Sequence, residues 1–231
     1  MNIELILRKI ASQERMQNFN HQKMFQVGFH EEKGLRPTME DALIINSSFN
    51  LNNEEFGLFS VIDGHGGNQV AEFVSKHFEN VFQKKMESAI GIEDGLTKAF
   101  EQVDLDLKIF IEKQGKFTKI GLNCGAAAIV VFITKEKVYC ANLGDCRALL
   151  FIDNAVNNCE CVELSRDHKA GYEKERFEEM GVKVVSTLPS RTVSTFVFQQ
   201  VYSLNNMPIV WRFSIQATCC QDNTQQTKSA M

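Results

Sequence analysis

Phe59-Ser60-Val61-Ile62-Asp63-Gly64-His65-Gly66-Gly67 is where an apolar run meets a carboxylate, an imidazole and three glycines. With Phe56 and Leu58 the run reads as a buried strand, so Asp63 falls where dry backbone reaches an opening. An ionised carboxylate is tolerated there only with a cation or a network of donors, and a metal is the simplest partner. Gly64, Gly66 and Gly67 carry no side chain, which allows close backbone approach to an ion or phosphate and a sharp turn into the next element. His65 can give or take a proton near neutral pH. Taken alone, the same residues also describe a strand-ending turn that happens to carry a histidine.

Downstream, Val70, Phe73, Val74, His77, Phe78, Val81 and Phe82 mark one face of a helix over about 69–85, with His77 expected as a core or boundary residue rather than a ligand. A second helix is predicted over about 92–113, with Leu96, Phe100, Val103, Leu107 and Ile111 turned inward. Then the period changes. Residues 126–133 form a continuous apolar strand, a Thr134-Lys135-Glu136-Lys137 turn follows, and 138–143 returns as a hairpin partner. Strands are also predicted at 147–152, 161–164 and 182–185, with a helix over 172–180 ending at Gly181. Upstream, Phe25, Val27 and Phe29 alternate as a half-buried strand. Ile3, Ile6, Leu7 and Ile10 suggest an amphipathic helix over 2–16.

Strands, two long helices and a strand meander indicate an α+β fold of layered antiparallel sheet, not alternating βαβ units. The expected division is an N-terminal amphipathic helix over residues 1–20, the main domain over 21–185 and a separate C-terminal segment over 186–231.

The chain has 231 residues, 44% hydrophobic and 23% charged, with a formal net charge of −4. That length suits one domain, and the charge offers no basic footprint for nucleic acid. The longest apolar run falls far short of the roughly 20 residues a membrane span needs. Seven cysteines without a Cys-x-x-Cys pair fit neither a disulfide framework nor structural zinc, so they are read as reduced. The expectation is an intracellular monomer in the cytoplasm, with the nucleus as an alternative.

Gly34-Leu35-Arg36-Pro37-Thr38-Met39-Glu40-Asp41, the Asp63 stretch and Asn142-Leu143-Gly144-Asp145-Cys146-Arg147-Ala148 come at well-separated positions. Behind them stand Leu164-Ser165-Arg166-Asp167-His168-Lys169 and Glu173-Lys174-Glu175-Arg176. In this order the pieces resemble the metal-dependent serine/threonine protein phosphatases of type 2C, the PPM family. The resemblance implies two packed antiparallel β-sheets flanked by helices, an αββα sandwich. It also implies two Mn²⁺ or Mg²⁺ ions, with a weaker third, and a phosphorylated protein as substrate. By the family pattern Asp63 bridges the two metals, the Gly64 carbonyl binds one, Glu40 and Asp41 hold metal-bound waters, and Asp145 serves the third ion. Arg36 grips the substrate phosphate and His65 is the general acid. Oxygen donors without nearby thiolates suit such hard cations.

The C-terminal third departs from the pattern. The family draws further metal-binding aspartates from there, whereas after Glu179 this chain's only acidic side chain is Asp222, and after Gly181 it has no glycine. A sandwich incomplete at its C-terminal end is therefore expected, with weaker metal binding and a slower reaction. The alternative to a phosphatase is a truncated or pseudo-phosphatase that binds phosphoprotein or a partner without efficient catalysis.

Overall fold

The computed structural model describes residues 2–9, 25–113, 124–154, 158–168, 175, 179, 200–204 and 211–216. Among these residues, two five-stranded antiparallel sheets form the body. One contains β3 (Ala42–Leu51), β4 (Glu54–His65), β5 (Gly125–Ile133), β6 (Val138–Leu143) and β9 (Gln200–Leu204), in that spatial order. The other runs β2 (Phe25–Glu32), β1 (Asn2–Lys9), β10 (Trp211–Gln216), β7 (Arg147–Asn154) and β8 (Asn158–Glu163). Helices α1 (Gln69–Met86) and α2 (Ile92–Lys113) pack on the first sheet.

Strand alternation divides the core into two layers. Phe59 and Val61 of β4, with Ile129, Val131 and Ile133 of β5, join Cys146, Ala148 and Leu150 in the layer between the sheets. Leu58 and Ile62, with Ala128, Val130 and Phe132, face the other way and meet Phe78 and Phe82 of α1 and Leu96 and Phe100 of α2. A strand buried on both faces must read as an unbroken apolar run, which is why β4 and β5 do. Each fully buried Val, Leu, Ile or Phe among them contributes on the order of 1.5–3 kcal/mol.

The register around Asp63 has two local causes. Asn52 and Asn53 both take left-handed φ, 53° and 66°, and form the two-residue hairpin loop that joins β3 to β4. A bulge between Asn46 and Phe49 then shifts the pairing, so that Ala42 meets Ile62. Extending that ladder by one position sets Asp41 opposite Asp63. A regular ladder from the same turn would have put Ala42 there.

The N-terminal stretch differs from expectation. Residues 2–9 are strand β1, paired with both β2 and β10, and not the start of a helix. Ile3, Leu5 and Leu7 also alternate at period two, and pairing with two neighbouring strands overrides the helical spacing. Residues 10–16 of the expected helix, the strand at 182–185 and Asp222 lie outside the described residues. Of the helix expected over 172–180, only Glu175 and Glu179 are described, both helical. His77 is exposed: its ring stacks on Phe73 at 4.1 Å, and Nδ1 lies 2.7 Å from the Phe73 carbonyl oxygen. The segment expected to leave the sandwich incomplete contributes one strand to each sheet, β9 and β10. Among the described residues no helix is long and apolar enough to cross a membrane.

Candidate active site

Asp63 lies on the face of β4 that carries Phe59 and Val61, two residues beyond Val61, where the layer between the sheets ends. Both oxygens of Asp41 are buried and meet no hydrogen-bond donor. Burial, followed by the charge of Asp63, pushes the Asp41 carboxyl up to about 7. Asp63 is raised as well, by burial and then by the charge of Asp145. Two ionised carboxylates have no hydrogen to offer each other. Asp41 and Asp63 can satisfy one another only by sharing a proton or a cation. Arg36, on the exposed loop before β3, draws both carboxyls in the opposite direction.

Glycines set the close approaches. A methyl group on Gly64 would run into the Glu40 backbone carbonyl, so the bare α-carbon is what lets the Glu40-Asp41 segment lie against β4. Gly66 and Gly67 take φ of 72° and 132°, which turns the chain from β4 into α1. His65, at the exposed end of β4, pairs with Gly125, and a methyl there would meet its Nε2 at 2.5 Å. The Cys124 thiol donates to the Gly66 carbonyl at 2.7 Å. Thr38 donates to the Glu40 carboxylate at 3.2 Å.

Asp145 follows Gly144, which takes φ of 109°; a methyl on Gly144 would strike Ala127, the residue paired with Asp63. Asp145 therefore stands past the end of β6, across β5 from Asp63, where its charge reaches Asp63. Arg36, Glu40, Asp41, Asp63, Gly64, His65 and Asp145 thus gather at one end of β3, β4 and β5.

Sequence reasoning quoted Asn142, Asp167 and His168 within motifs but gave them no task. In the structure they tie down the Asp145 turn: Asn142 Nδ2 reaches the Gly144 and Arg166 carbonyls at 3.1 Å each, and Arg147 forks onto Asp167 at 2.8 Å. A polar Asn142 at the end of an apolar strand was the available signal.

Orphaned carboxylate oxygens beside further carboxylates fit a hard divalent cation in chemical type. No group of three or more His, Cys, Asp or Glu among the described residues stands ready at metal-ligand spacing. Any ion there would complete its shell with water and backbone oxygen.

A family model described as protein phosphatase 2C matches residues 25–194. The chain belongs to that family. A probable protein phosphatase 2C of Oryza sativa subsp. japonica is 32% identical over 161 residues, which is 69% of this chain and 40% of the relative. One from Paramecium tetraurelia is 35% identical over 170 residues, 69% of this chain and 54% of the relative. The chain thus spans about half the length of these relatives. Among solved structures, a C. elegans sex-determining protein aligns with TM-score 0.63 and 19% identity over 78% of this chain and 48% of the other. A serine-threonine phosphatase 2C from Toxoplasma gondii gives 0.58 and 15% over 76% and 72%. At these identities the structures support the fold.

Proposed function

We propose that this chain hydrolyses phosphoserine and phosphothreonine in phosphoproteins with the help of Mn²⁺ or Mg²⁺. The observation that carries the reading is Asp41, buried without a donor and facing Asp63. When bound, the cations supply an acidified water and positive charge for in-line attack on phosphorus. Asp63 and Asp145 would hold them, with the Gly64 carbonyl as a backbone donor, and Glu40 and Asp41 would orient metal-bound water. Arg36 presents a planar pair of N–H donors to the phosphate oxygens. His65, exposed at the end of β4, gives its proton to the leaving seryl or threonyl oxygen. No covalent intermediate with the protein is required.

The test is phosphate release from a phosphothreonine peptide across a Mn²⁺ titration, beside Asp63→Asn. Release that depends on Mn²⁺ and vanishes in the variant is expected. Release indifferent to chelator would overturn the reading. A second reading, a phosphoprotein-binding module without efficient turnover, is favoured by the near-absence of acidic residues after Glu179. It predicts phosphopeptide binding that requires Arg36 but no turnover at saturating Mn²⁺.

A further inference from the structure

The Asp145 turn is held on both flanks by one short segment, residues 165–168. On one side Gly144 and His168 exchange two hydrogen bonds: the Gly144 N–H donates to His168 Nδ1 at 3.2 Å, and the His168 N–H donates to the Gly144 carbonyl at 2.9 Å. Because Nδ1 accepts, the imidazole carries its proton on Nε2. On the other side Arg147 Nε and Nη2 meet the two Asp167 oxygens at 2.8 Å each, a bidentate pair whose carboxylate is only 10% exposed. Ser165 Oγ accepts the Ala148 N–H at 3.0 Å behind them. Consecutive residues 167 and 168 therefore grip Gly144, just before Asp145, and Arg147, two residues after it.

An isolated reversal from β6 to β7 needs no such brace. What this one adds is a fixed placement of the turn against Ala127, the residue beside Asp63. We propose that His168 and Asp167 are positioning residues that hold Asp145 beside Asp63 so that the two carboxylates act on one cation cluster. This rests on the functional reading above. The role assigned to each is indirect, through the placement of Asp145.

The experiment titrates the full chain with Mn²⁺ alone, following free ion by electron paramagnetic resonance, in wild type, His168→Ala, Asp145→Asn and the double variant. His168→Ala should weaken Mn²⁺ binding about tenfold, the size usual for losing a group that orients a ligand. The double variant should bind no more weakly than Asp145→Asn, since the histidine has nothing left to position. His168→Asn, whose Oδ1 can accept where Nδ1 does, should bind like wild type. Wild-type affinity in His168→Ala, or losses that add independently in the double variant, overturns the proposal. Should His168→Ala not fold, Asp167→Asn, which keeps shape and drops the ionic fork, replaces it under the same two criteria. A chain that binds Mn²⁺ yet releases no phosphate overturns the functional reading alone; one that binds no Mn²⁺ overturns both.

Discussion

At the scale of single residues, the site is defined by what its carboxylates lack. Asp41 in the folded, metal-free chain keeps its proton to about 7, because burial and then Asp63 oppose ionisation, whereas the unfolded chain releases it near the ordinary 3.8. A raised folded pKa stabilises the fold fully below the unfolded value and loses that contribution as pH rises through the folded one. In chelator, the melting temperature should therefore fall as pH rises from about 4 to about 7 and level off above it. Asp41→Asn should reduce that fall, leaving the part that Asp63 contributes, and the upward shift produced by Mn²⁺ should grow across the same window. A melting temperature of wild type in chelator that is flat or rising over this range would contradict the assignment. Gly64 makes a second case, since its α-carbon faces the Glu40 carbonyl. Gly64→Ala should cost about 1–3 kcal/mol by overpacking and lower activity with it, measured by denaturant melts and phosphate release. Asp63, Gly64 and Glu40 were readable from the sequence as chemistry-bearing types. That the glycine serves a neighbouring backbone segment was not, because only the folded register brings residue 40 to residue 64.

At the scale of elements, periodicity was a reliable guide wherever an element is buried on the face that repeats. α1, α2, β5 and β6 fall where their apolar spacing puts them, whereas β1 does not, since a short segment such as Ile3-Glu4-Leu5-Ile6-Leu7 satisfies both periods and partners far along the chain decide. The bulge in β3 was illegible for the same reason: Asn46 to Phe49 carries no sequence mark that distinguishes an extra residue from an ordinary polar stretch. Phe132 on β5 shows how much one element position can carry. Its ring meets Phe49, Phe56, Phe82 and Tyr139, so Phe132→Ala should destabilise by about 3–5 kcal/mol, read from the denaturation midpoint at constant slope. Neighbouring strands also shield thiols. Burial pushes Cys140 and Cys146 upward, so both should resist alkylation at pH 8 until the chain unfolds, while exposed Cys161 reacts in the native state. Native-state labelling of Cys146 would count against the layer between the sheets.

At the scale of the whole molecule, the family resemblance covers the site and most of the sandwich, and the divergent segment reads from sequence as an unassigned ending. The structure gives it a place in both sheets, as β9 beside β6 and as β10 between β1 and β7. A chain ending at residue 185 should fail to melt cooperatively and should expose apolar surface to dye, because β10 joins the two halves of its sheet. A sharp calorimetric transition in that truncation would exclude this role. The position of β10 also bears on how the protein is made. β1 and β2 leave the ribosome well before β10, the strand that links them to β7. At typical elongation speeds the interval is on the order of ten seconds or more, during which a nascent hairpin waits with one edge unmatched. That sheet cannot close until β10 has emerged, so in the interval its hairpin depends on whatever keeps an open edge from pairing with another chain.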